Sequence, residues 1–139
     1  MSASIHERII EEEQITTMIY EVAALIYNND KIMICQNSQT ELWELVSGEA
    51  REDESLKQAL IRAGRRQLGV TVTVGEEVHT EQYDIGGVDA VRHFYNCFIA
   101  YGTPIRFEHK SFRWITRSEI SDFEFCEKDK AVLEKLTIL

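Results

Sequence analysis

Apolar positions along this chain follow two periods, and the switches between them mark the elements. Residues 18–27 and 31–36 are nearly continuous apolar runs rich in Ile, Val, Leu and Met, separated by Asn28, Asn29 and Asp30. Such a turn cluster between two apolar runs predicts a hairpin. The lack of polar alternation predicts strands buried on both faces. Residues 42–46 predict another short strand, broken by Ser47 and Gly48. Over 55–68 the period becomes helical. Leu56, Ala59, Leu60 and Leu68 share one face, while Lys57, Gln58, Arg65 and Arg66 belong largely to the other. Gly69 follows as a helix stop. Gly64 is unusual inside that helix, where a glycine costs about 1 kcal/mol relative to alanine. Strands resume over 70–74 and 77–85. Gly86 and Gly87 then signal a hairpin into a long strand over 88–100. A last short strand covers 111–115. Thr116 to Glu119 reads as a capping box for a short helical turn. Residues 127–136 form an amphipathic helix with Ala131, Val132, Leu133 and Leu136 inward.

The polar lead-in over 2–14 carries three successive glutamates, Glu11, Glu12 and Glu13. It reads either as a short helix, since Ile5, Ile9 and Ile10 sit at helical spacing, or as an extended arm pairing with a neighbour. No interdomain linker or repeat interrupts the rest. Strands mixed with two main helices predict one α/β layered domain over 15–139 behind an arm over 1–14.

A formal net charge of -9 argues against general binding to nucleic acid or anionic membranes, because affinity for phosphate surfaces comes from Lys and Arg. The longest apolar stretch is far too short to cross a bilayer, and no basic region precedes an apolar run at the N-terminus. Both point to a cytoplasmic protein. Cys35, Cys97 and Cys126 are isolated, with no CxxC pair to suggest zinc. They read as buried apolar residues in a reducing compartment.

The segment from Gly48 to Val70 reads GEAREDESLKQALIRAGRRQLGV. Its spacing resembles the Nudix box: glycine, five residues, glutamate, seven residues, arginine-glutamate, an apolar residue, one residue, two glutamates, one residue, glycine, apolar. Gly48, Glu54, Arg62, Gly69 and Val70 fall in register. The three remaining acidic places hold Ala63, Arg66 and Gln67. Beyond the box, the segment Trp43, Glu44, Leu45, Val46, Ser47, Gly48 resembles the family's tryptophan-containing approach to its glycine loop. Glu108-His109, Arg113-Trp114-Ile115 and Glu119-Ile120 resemble its MutT-like pyrophosphohydrolase branch.

The resemblance implies a Nudix-type α/β/α sandwich with a mixed sheet. It also implies a chemistry in which water attacks a nucleoside diphosphate-linked phosphorus while divalent metals neutralise the phosphate oxygens. Magnesium is a hard cation that prefers oxygen ligands. Residues three and four apart on a helix share a face, and the family aims its glutamates from that face. Here the three places change from three negative charges to one positive. Arg66 would repel a cation, and Gln67 offers one neutral oxygen. Glu54 and Arg62 then read as a scaffold salt bridge, and Gly48 as a tight turn.

Three functions follow from different classes. In the first, the domain is impaired in Mg-dependent hydrolysis and acts as a regulatory domain or as a binder of a nucleotide or other phosphate-bearing small molecule. Arg65 and Arg66 hold the phosphate directly, since the guanidinium fork matches its oxygens. In the second it is an active hydrolase with relocated acids and Mg²⁺ or Mn²⁺, with Glu108 as catalytic candidate and Glu49, Glu52, Asp53 and Gln67 as metal candidates. A third reading is an interaction protein that uses its acidic arm and strand edges in a homodimer. Trp43, Tyr83, Phe94, Tyr95 and Phe107 are candidates for stacking on a base, although such residues more often belong to the core. His79, His93 and His109 read as satisfied polar residues.

Overall fold

β2 (Gln14–Asn28) and β3 (Lys31–Gln36) lie at the centre because their side chains are apolar toward both faces. The computed structural model describes residues 5–10 and 14–138, with side chains from Met18 onward. Successive strand residues point to opposite faces. Val22, Ala24, Ile26, Met33 and Cys35 accordingly join one core cluster, with Ala59, Leu60, Ala63 and Leu68 of α1 (Leu56–Leu68). Ala23, Leu25, Ile32 and Ile34 join the other, with Val132 and Leu133 of α2 (Glu127–Leu136). The sheet is therefore sandwiched between the two helices, the α/β/α arrangement expected from the sequence.

Among the described residues, β4 (Trp43–Glu44), β3, β2, β7 (Val88–Tyr101) and β6 (Thr71–Ile85) run in that order. β5 (Val46–Glu49) and β1 (Ile5–Ile10) pair with β2, and β8 (Ser111–Thr116) pairs with β3. β2 and β7 are parallel, from Met18 beside Asp89 to Tyr27 beside Phe98, and the other pairings are antiparallel. The sheet is thus mixed. Asn29 at φ 58° closes the β2–β3 hairpin. Gly86 and Gly87, both at positive φ, close β6–β7 as the two-residue turn requires.

Several elements differ from the sequence expectation. The lead-in is not helical where it is described: Ile5–Ile10 is a strand paired with residues 14–19 of the same chain, and Glu11 to Glu13 lie outside the described residues. The segment 42–46 does not form one strand. Trp43 and Glu44 pair with β3, then the chain crosses at Leu45 to pair with β2, so Ser47 and Gly48 lie inside β5 rather than ending a strand. The strands over 70–74 and 77–85 are one, β6, with register shifts around Gly75 to Val78. Bulges absorb the extra residues without ending the pairing. On α2, Ala131 is exposed and Asp129 is buried in its stead. The capping box at Thr116 and Glu119 is present and starts a 3-10 helix, Arg117–Asp122.

Candidate functional site

The loop and helix of the box are held by their own polar side chains. Ser55 caps α1: its hydroxyl accepts from the Gln58 backbone N–H at 3.1 Å, and the Gln58 side chain accepts from Ser55 N–H at 2.8 Å. Gly69 ends the helix at φ 69° in the left-handed region. Arg62 ties the loop to the helix. Its Nε donates to Glu54 Oε2 at 2.8 Å, and its Nη2 donates to Glu54 Oε1 at 3.0 Å and to the Glu49 carbonyl at 2.8 Å. These bonds from Arg62 hold the Glu54 carboxyl below its ordinary pKa. Glu54 in turn keeps the Arg62 pKa above its ordinary value. The geometry is that of a scaffold salt bridge.

Ala63 and Gln67 face inward. A side chain on Gly48 would begin 3.6 Å from the Ala63 Cβ, so helix and glycine strand approach closely there. Gln67 Nε2 donates to the Ser47 carbonyl at 2.6 Å. A glutamate at that place would set a carboxylate against a carbonyl oxygen, two acceptors that need a proton, a cation or a bridging donor between them. The amide supplies the N–H instead. Arg66 repeats this pattern on the surface, where its Nε lies 3.4 Å from Glu108 Oε1 and both side chains are about half exposed. The loop carrying Glu108 is docked on the end of α1, with Ile105 N–H donating to the Leu68 carbonyl at 3.0 Å. These residues do not fit a divalent cation. Ala63 has no ligand atom, Gln67 turns its N–H to the neighbouring carbonyl, and a guanidinium stands beside Glu108.

The other candidate acids do not gather. Glu49 borders a cleft of about 410 Å³ with Glu21, Glu44, Gly48 and Arg92. Asp53 borders a separate open groove of about 760 Å³ on the outer side of α1, with Arg65 and Arg66. Glu52 is exposed in the turn between them. Among the described residues, no group of three or more His, Cys, Asp or Glu side chains is placed to share a metal ion.

Sequence reasoning missed the floor of the 410 Å³ cleft. Arg92 is 3% exposed; it donates to Asp129 Oδ1 from Nε at 2.9 Å and from Nη2 at 2.7 Å, and to Glu21 Oε1 from Nη1 at 2.8 Å. Burial opposes its charge, but Asp129 and Glu21 outweigh it and keep the Arg92 pKa above its ordinary value. Asp129 also accepts from Leu45 N–H at 2.9 Å, where the chain crosses from β4 to β5. Tyr83 donates to Glu21, and Lys128 reaches it at 3.2 Å. Glu44 is held by His109, whose Nε2 lies 3.2 Å away. The available signal was a charge inside an apolar strand run, at both Glu21 and Arg92. Of the aromatic candidates, Phe94 and Tyr95 are core, Trp43 packs edge-on against Phe123, and Phe107 is exposed beside Gly69. Cys35 and Cys97 are buried, while Cys126 is only half-buried and donates to Asp129, a correction to the uniform reading of the thiols. Burial pushes all three up to about 12, too high for a nucleophilic thiolate. No helix among the described residues is long and apolar enough to cross a membrane.

With this geometry in place, comparison with known proteins shows where the chain sits. Residues 19–137 match the NUDIX domain. The CTP pyrophosphohydrolase of Escherichia coli is 33% identical over 126 residues, covering 88% of this chain and 93% of that protein. The solution structure of the E. coli ORF135 protein superposes with a TM-score of 0.78 at 33% identity, over 88% of this chain and 90% of its own. The crystal structure of a MutT protein from Methanosarcina mazei shares the fold, with a TM-score of 0.73 at 20% identity over 86% and 93% of the two chains.

Proposed function

Because the chain belongs to the Nudix family, we propose that it is a nucleotide-binding member that holds phosphate through Arg65 and Arg66 in place of a bound divalent cation. The observation that carries this reading is the occupation of the box by the protein's own donors. Gln67 closes on the Ser47 carbonyl at 2.6 Å, and Arg66 stands beside Glu108. A guanidinium carries a permanent positive charge and a planar pair of donors that matches two phosphate oxygens. It therefore takes over charge neutralisation without help from a metal. It supplies no activated water, so the bound nucleotide stays intact.

The 33% identical relative is named for CTP, which makes CTP the first ligand to try, followed by the other nucleoside triphosphates and diphosphates. Calorimetric titration in EDTA is expected to give saturable heat with at least one nucleotide and no pyrophosphate release. Silence across the whole panel, with and without Mg²⁺, removes the nucleotide reading. Heat that appears only with Mg²⁺ or Mn²⁺, together with pyrophosphate release lost in Glu108→Gln, replaces it with the relocated-acid hydrolase.

A further inference from the structure

The groove on the outer side of α1 holds more arginine than the box pattern alone announces. Arg62, Arg65 and Arg66 are three and four residues apart and share a helix face. Arg51 joins them from the loop ahead of the helix. All four line the same open space of about 760 Å³, with Asp53 and Glu54 as its other charged groups. Glu54 is already engaged by Arg62. The lining is thus four cations against two anions in a protein of net charge -9. Arg65 gives a single long bond to Thr71 Oγ1 at 3.4 Å, and Arg66 makes the 3.4 Å contact with Glu108. A guanidinium has five N–H donors, so both retain donors for a ligand. From Arg62 to Arg66 the helix advances about 6 Å, and Arg51 lies before its first turn. The cations thus enter the groove from two elements, the loop at Arg51 and the last turns of α1, which suits a ligand with more than one phosphate.

We propose that this groove binds an oligophosphate chain directly, with Arg51 and Arg65 gripping phosphates beyond the one at Arg66, and with Glu108 as an internal anion that the ligand displaces from Arg66. The inference rests on the metal-free phosphate reading above and extends it to a further residue, Arg51, and a minimum ligand length. It also reverses the sign of the metal effect. Magnesium chelates oligophosphates and hides the charge the arginines read, so it weakens binding here. The chain is either a nucleotide tail or an inorganic oligophosphate, and the groove chemistry is common to both.

The test is calorimetry in EDTA at low salt with inorganic tripolyphosphate, orthophosphate and CTP, on wild type and on Arg51→Gln, Arg65→Gln and Glu108→Gln. All three substitutions are at exposed positions, and an unchanged melting curve checks folding. Tripolyphosphate is expected to bind tighter than orthophosphate and to weaken when Mg²⁺ is added. Arg51→Gln and Arg65→Gln are each expected to weaken it by roughly three- to tenfold, and Glu108→Gln to tighten it by about threefold. Tripolyphosphate binding no tighter than orthophosphate, or indifferent to Arg51→Gln and Arg65→Gln, overturns the groove. If CTP still binds in EDTA while Arg51→Gln changes nothing, the groove fails and the metal-free nucleotide reading stands. If tripolyphosphate binds through both arginines while every nucleotide is refused, the groove stands and the nucleotide reading fails.

Discussion

Gly64 faces Val70 and Val72, not solvent. A Cβ built there would lie 3.5 Å from the Val70 carbonyl and 3.5 Å from a Val72 methyl, an ordinary contact on both sides. The missing side chain therefore leaves room for one methyl, which would rest in ordinary contact against Val70 and Val72. Gly64→Ala is expected to raise stability by about 0.5–1 kcal/mol through the unfolded chain's lost freedom, read from denaturant midpoints with an unchanged slope. A drop would mean that the helix cannot keep its seat on β6. At the same scale, Gln67 and Arg66 show what one residue's chemistry decides. Each puts N–H groups where a box glutamate would put oxygen, and each has an oxygen waiting for it. The substitutions themselves were legible in the sequence. Their partners were not, because Ser47 and Glu108 are far away along the chain and only the fold brings them beside α1.

At the scale of elements, the loop before α1 depends on one ion pair. Glu54 is mostly buried, grips Arg62 with both oxygens, and also accepts the Arg51 backbone N–H at 3.1 Å. Its pKa is lowered from the ordinary 4.5, first by the Arg62 hydrogen bond. A depressed carboxyl stabilises the fold fully above its unfolded value and loses that contribution as the pH falls through the folded one. The difference in melting temperature between wild type and Glu54→Gln is therefore expected to be constant above pH 4.5 and to shrink below it. A difference that persists unchanged into acid would show that the carboxylate's charge plays no part. The helices were readable where a stop or cap residue agreed with the apolar period: Gly69 for α1, and Thr116 with Glu119 for the 3-10 turn. The strands misread were those whose boundaries depend on partners. Ser47-Gly48 looks like a stop, yet β2 offers a free edge for it. Gly75 and Glu76 look like a break, yet a bulge accommodates them against β7.

For the whole molecule, the sandwich was legible because β2 and β3 are apolar at consecutive positions, which has one common explanation, helices on both faces. The polar seam between sheet and α2 was not. Glu21, Arg92 and Asp129 are distant in sequence, and their mutual satisfaction is visible only when β2, β7 and α2 are assembled. That cluster joins three elements and, through Leu45 N–H, the strand crossing that delivers Gly48 to the box. The NUDIX domain is thus present over residues 19–137, while the three box positions hold an alanine, an arginine and a glutamine that caps a carbonyl. On the proposed reading, the positive charge next to the phosphate belongs to the polypeptide. Electron paramagnetic resonance of Mn²⁺ titrated with wild-type protein tests this most directly, because only the free ion gives the sharp signal. The expected result is a free-ion signal undiminished by stoichiometric protein, with or without nucleotide in slight excess over the protein after correction for Mn²⁺ held by the nucleotide itself. Stoichiometric loss of the signal to wild-type protein, accompanied by pyrophosphate release from a nucleoside triphosphate, would contradict it.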